Sequence, residues 1–157
     1  MLRACSLLLL SLGACGPRPD LEADRAELLR LHEVAQTAHL DKQPDLLVAS
    51  FADSFLNISR GAVTLRTPGE NRARFQAYFD RSTFLEWADL APPLIRISPD
   101  GQMAYVIVQK RVRLTALDSA GVPAPVHTIF AWVELYEKQG ERWTLMAVAS
   151  TDRPGPT

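Results

Sequence analysis

The chain has 157 residues, of which 47% are hydrophobic, and a formal net charge of −1. That length fits one domain with an apolar core, and the balanced charge excludes a basic nucleic-acid footprint. Two cysteines, Cys5 and Cys15, both precede the first predicted element, so no disulfide staples the folded part and no Cys-rich metal site exists.

Residues 1–14 read as a signal segment. Arg3 gives a positive start, and Leu7 to Leu12 make an apolar run too short to span a bilayer. Leu12-Gly13-Ala14-Cys15 resembles the lipobox of bacterial lipoproteins, with an ordinary secretory signal as the alternative. The resemblance implies acylation of Cys15 and a lipid-anchored protein of the cell envelope, held by buried acyl chains and no transmembrane helix. Gly16 follows the cysteine, and by the same analogy the outer membrane, facing the periplasm, is the expected address. Residues 15–20 carry two prolines and form an extended tether.

The domain is expected over residues 21–152, with 153–157 as a tail. Helical spacing of Leu28, Leu31, His32, Ala35 and His39 predicts a first helix from Leu21 to Leu40, with Asp20, Glu22 and Asp24 at its dipole-favoured start. Pro44 opens a short second helix to about Ala52. Phe55 to Ile58 and Ala62 to Arg66 are short strands around an Arg60-Gly61 turn. Thr67-Pro68-Gly69-Glu70 is a capping box that starts a third helix, running to about Arg81 and burying Phe75, Tyr78 and Phe79. Thr83 to Leu90 and Leu94 to Ile97 are further strands. Three long strands close the chain: Met103 to Ala116, Val126 to Lys138, and Glu141 to Thr151, the last two joined at Gln139-Gly140. A Gly- and Pro-containing loop, Asp118 to Pro125, joins the first two.

The segment Asp45-Leu46-Leu47 through Phe51-Ala52-Asp53-Ser54-Phe55, the run Gly140-Glu141-Arg142-Trp143-Thr144-Leu145 and Ser150-Thr151 carry a resemblance to a known family. Together with the order of elements, they resemble the nuclear-transport-factor-2-like superfamily, including SnoaL-like domains. The resemblance implies an α+β fold: a curved antiparallel sheet wrapped on N-terminal helices as a cone, often with an internal pocket and often dimeric. Ketosteroid isomerases of this fold use an aspartate base, a tyrosine donor and a protonated aspartic acid. Carried over from the motifs, these fall on Ser59, Ala35 and Trp132, none of which has the needed group. The resemblance therefore does not imply that reaction.

The same positions mark an expected pocket wall. If Trp132 faces inward, strand alternation brings Phe130, Glu134 and Tyr136 with it. Trp143, Leu145, Ala147 and Ala149 share a face of the last strand, with Leu28, His32 and Ala35 of the first helix opposite. Glu134 either sits in this aromatic row as an acid or base of raised pKa, or reaches the rim and pairs with a surface arginine. Glu134 and His32 are the catalytic candidates. His32 and His39 are about 10 Å apart along the helix axis, too far to share one metal ion even with His127 as a third ligand. Lys110, Arg111 and Arg113 form a basic run, read as a solvated edge or face, with Lys110 opposite the two arginines. No P-loop, dinucleotide fingerprint or serine-nucleophile motif is present, so no cofactor is expected.

The residues fit two functions. The first is a membrane-tethered, non-catalytic domain that binds a small apolar ligand or a protein partner. The face Ile129-Ala131-Val133-Leu135 would then serve a homodimer or another partner. The alternative is a cofactor-independent isomerase or dehydratase-type enzyme.

Overall fold

A computed structural model describes residues 19–156. The signal segment and Cys15 lie outside the described residues. The chain begins with α1 (Leu21–Leu40) and α2 (Pro44–Val48), followed by the hairpin β1 (Phe51–Ser59) and β2 (Ala62–Arg66). Then come α3 (Pro68–Asp80), β3 (Ser82–Asp89), β4 (Leu94–Ile97), β5 (Met103–Leu117), β6 (Pro123–Gln139) and β7 (Arg142–Pro154).

Local chemistry accounts for the helix starts. The Asp20 carboxylate caps α1 by accepting from the Ala23 N–H at 3.0 Å. Thr67 and Glu70 form the reciprocal capping box of α3: the Thr67 N–H donates to Glu70 Oε2 at 2.8 Å, and the Glu70 N–H to Thr67 Oγ1 at 3.3 Å. The β1–β2 turn holds Arg60 and Gly61 at φ 51° and 76°, the left-handed geometry that suits a two-residue hairpin.

The strands form one curved sheet in the order β2-β1-β7-β6-β5-β3, with β4 also paired to β5. The sheet is mixed, because β1 runs parallel to β7 while every other pair is antiparallel. The expected second helix is shorter than the sequence suggested and β1 starts earlier, at Phe51. β6 begins at Pro123, which shortens the connecting loop. β7 continues through Arg153 and Pro154, opposite Ile129 and Thr128, so the first residues of the expected tail belong to the sheet.

One face of the sheet meets the helices. The main core gathers Leu28 of α1, Phe55, Ile95, Val106, Val108, Tyr136, Trp143 and Leu145. Trp143 is almost wholly buried, and its indole N–H donates to Asp24 at 3.0 Å, with Lys138 bound to the same carboxylate. This ties the start of α1 to the last hairpin. A second core cluster, Ala38, Leu47 and Phe79, joins α1, α2 and α3.

Candidate functional site

Between the three helices and the concave side of the sheet lies a cavity of about 320 Å³. Its wall is mostly aromatic and aliphatic. β6 supplies Phe130, Trp132, Glu134 and Tyr136 in strict alternation, and α1 supplies Leu31, His32, Ala35, Gln36 and His39. Phe51, Phe55, Phe75, Tyr78 and Trp87 close the other sides.

Glu134 occupies the inner end. It accepts from the Trp132 indole N–H at 2.8 Å and from the Tyr136 hydroxyl at 3.2 Å. Burial pushes its carboxyl above the ordinary glutamate value, outweighing those hydrogen bonds and the nearby charges of His32 and Lys110. The Tyr136 hydroxyl is pushed well up, first by its own burial and then by Glu134.

Beside it lies a polar cluster built across three elements. His32 Nε2 stands 2.9 Å from Asp89 Oδ2. Lys110 Nζ stands 2.7 Å from Asp89 Oδ1 and donates to Gln36 Oε1 at 2.8 Å. Burial alone would raise the Asp89 carboxyl, but bonds from His32 and Lys110 hold it below its usual range. Lys110 is pulled down, because desolvation exceeds the support of Asp89.

His39 sits further along α1, stacked on Trp87 with ring centroids 3.9 Å apart and ringed edge-on by Phe75, Phe79 and Phe84. Burial pulls its pKa down to about 4, so it is a neutral imidazole at pH 7, with Nδ1 2.7 Å from the Ala35 carbonyl. Tyr78 is pushed up to about 12 by burial. Arg74 is the one lining residue that is exposed, which marks the mouth, although its guanidinium is partly desolvated. Its guanidinium lies 4.2 Å from the Phe75 ring centroid.

Of the residues expected to line a pocket, His32, Ala35, Phe130, Trp132, Glu134, Tyr136 and Leu145 do so. Leu28 does not: it is fully buried in the packed core, one helical turn before His32. Ala147 does not either. Tyr136 pairs with Leu145, but the next residue back, Leu135, pairs with Ala147, so Met146 is an extra residue in β7. This bulge reverses the alternation. Leu145, Val148 and Ser150 face the cavity, while Ala147 and Ala149 face out opposite Leu135 and Val133. Glu134 is inside, not at a rim with an arginine.

Lys110 also corrects the reading of the basic run. Arg111 and Arg113 are exposed and face Glu86 at 3.4 and 3.9 Å, but Lys110 points inward and is 1% exposed. The signal was in the alternation: Val106, Val108, Val112 and Leu114 share its face. Asp89, Gln36, His39, Arg74 and Asn57 were likewise missed as site residues. Ser59, where the isomerase base was carried over, is not part of the cavity wall. The three histidines lie apart in three environments, with His127 outside near Arg113.

Several solved structures share this architecture across most of the chain. An NTF2-like protein from Cytophaga hutchinsonii superposes with a TM-score of 0.65 at 16% identity, over 81% of this chain and 96% of that one. A ketosteroid isomerase-like protein from Erwinia carotovora atroseptica gives 0.63 at 15% identity, over 83% and 96%. An NTF2-like protein with a cystatin-like fold from Novosphingobium aromaticivorans gives 0.60 at 14% identity, over 83% and 82%.

The fold is NTF2-like.

No family model and no curated protein matches the sequence. At these identities the likeness concerns backbone architecture, and an NTF2-like fold supports many unrelated functions.

Proposed function

We propose that this NTF2-like domain binds a small, largely apolar molecule in its cavity and works without catalysis, tethered to the cell envelope. The observation that carries the reading is the lining: a ring of aromatic side chains with a few polar groups, the usual make-up of a small-molecule site. None of His32, Tyr78 and Glu134 hydrogen-bonds another of the three; each is engaged elsewhere or walled by apolar groups. N-phenyl-1-naphthylamine, an uncharged apolar fluorophore, should bind saturably to the full chain and quench Trp132. Absence of saturable binding would sink the reading.

A second reading is favoured by one feature. Glu134 is a buried carboxyl of raised pKa beside His32 and Lys110, suited to giving or taking a proton from a bound molecule. On that reading the domain is a cofactor-independent isomerase or dehydratase-type enzyme. Turnover of any substrate that disappears in Glu134→Gln, with binding kept, would decide for it.

The tether rests on Leu12-Gly13-Ala14-Cys15, and the proposed address is the outer membrane, facing the periplasm. Among the described residues no helix is long and apolar enough to cross a membrane. Cys15→Ala should leave the membrane fraction or fail to be processed; wild-type fractionation of that variant would refute the anchor.

The convex side of the sheet adds a partner. One row runs across five strands as Leu94, Ile107, Val133, Ala149, Ile58 and on to Val63; a second holds Tyr105, Leu135, Ala147, Leu56 and Leu65. Most of the large members are more than a third exposed, including Ile107 at 45% and Val63 at 66%. The alanines of β7 form a trough between bulky flanks, a relief that a second copy, turned by a two-fold axis, can match. Ile107→Asp should then give a monomer by sedimentation where wild type is a dimer.

A further inference from the structure

We propose that the ligand of the cavity is an amphipathic carboxylate, its apolar body among the aromatic side chains and its anionic group held at the mouth by Arg74. This rests on the small-molecule reading above and adds the charge and orientation of the molecule.

The inference comes from how charge is distributed along the cavity. At the inner end, Glu134 is acted on by the charges of His32 and Lys110. Lys110 is already neutralised by Asp89 at 2.7 Å and satisfied by Gln36. A second anion placed there would meet a paired lysine and a carboxyl, and gain little. His39, in the middle, feels both Lys110 and Arg74 but is itself neutral, so it spaces the two ends without adding charge.

Arg74 is different. Among the described residues it has no carboxylate within ion-pair distance and no side-chain hydrogen bond. The other arginines of the helices are engaged, Arg30 with Glu27, Arg72 with Asp45, and Arg25 with the Ile95 carbonyl at 3.2 Å. Arg74 instead lies over the Phe75 ring and is partly desolvated there, with the like charge of Arg66 nearby. One cationic side chain of the cavity wall therefore stands over an apolar ring with its donors free, and a second, Arg66, adds like charge from outside the wall while donating to Thr64 Oγ1 at 2.7 Å. A carboxylate at that point gains a charge-assisted, fork-like contact and relieves the repulsion between the two arginines. A neutral molecule would leave the Arg74 charge uncompensated. The body attached to the carboxylate must be apolar, because Phe51, Phe55, Phe75 and Leu47 share the cavity wall with Arg74.

The test is displacement of N-phenyl-1-naphthylamine from the full chain by decanoate and by 1-decanol, both below their aggregation limits, at low salt. Arg74→Gln should weaken decanoate about tenfold, the equivalent of one charge-assisted contact, and leave decanol within about twofold. Arg74→Lys should keep most of the decanoate affinity, and Arg142→Gln, at an exposed site away from the cavity, should change neither. The wild-type preference should shrink with added salt. The proposal is overturned if Arg74→Gln leaves decanoate unchanged, or if decanol loses as much as decanoate. Binding of the naphthylamine with no role for Arg74 would remove the carboxylate and keep the cavity; failure of the naphthylamine, decanoate and decanol to bind wild type would remove both.

Discussion

Leu145 and Ala147 stand two residues apart in β7, yet their side chains lie on opposite faces of the sheet. Leu145 lies beside Tyr136 over the cavity, and Ala147 lies beside Leu135 on the convex side. The extra residue, Met146, makes the difference. Enlarging the two faces should therefore have separate effects. Val148→Phe should fill the cavity and abolish fluorophore binding, at a stability cost of about 1–3 kcal/mol because Val148 also touches the core. Ala147→Phe should leave fluorophore binding intact and disturb only self-association. A titration in which Ala147→Phe blocks the cavity and Val148→Phe does not would place the bulge elsewhere.

Glu134 predicts a pH dependence of stability. Its folded pKa is raised by burial, so the folded state holds the proton more tightly than the unfolded chain. The associated stability is fully present below the ordinary glutamate value and is lost as pH rises through the folded value. Each unit of that raise corresponds to about 1.4 kcal/mol. Glu134→Gln does not titrate. Its melting temperature relative to wild type should rise between pH 4 and pH 8, and a constant difference across that range would show that Glu134 is not protonated preferentially in the fold.

Lys110 and Asp89 should behave as a coupled pair. Lys110→Met leaves the Asp89 carboxylate without its closest cation and should cost about 3 kcal/mol, the low end for a broken buried pair because Asp89 is a quarter exposed. Adding Asp89→Leu should recover much of that loss. A double-mutant cycle in urea denaturation measures the coupling, and simple additivity would mean that the ion pair contributes nothing specific.

Trp143→Ala should cost about 3–5 kcal/mol, the range for emptying a buried aromatic site. Part of the loss comes from Asp24, which would keep Lys138 but lose the indole donor. Trp143→Phe retains most of the volume and should cost clearly less. Equal unfolding midpoints for Trp143→Ala and wild type would contradict the packing described here.

The sequence by itself determined the elements whose causes are local. The capping box at Thr67 and Glu70, the acidic start of α1 at Asp20, Glu22 and Asp24, and the Arg60-Gly61 turn depend on neighbours a few residues apart, and the structure has them at those places. The alternation of β6 needed only one residue to be set in phase, and Phe130, Trp132, Glu134 and Tyr136 follow from it. The tertiary structure decided what depends on partners distant in the chain. The bulge at Met146 is a mismatch of register between two strands, invisible in either one. The parallel pairing of β1 with β7 brings together residues about ninety positions apart. The inward Lys110 is tolerated only because Asp89 and Gln36, from two other elements, meet its ammonium group. A lysine in a basic run is ordinarily solvated, because removing its charge from water is costly. Only the folded chain shows that an opposite charge is waiting for it.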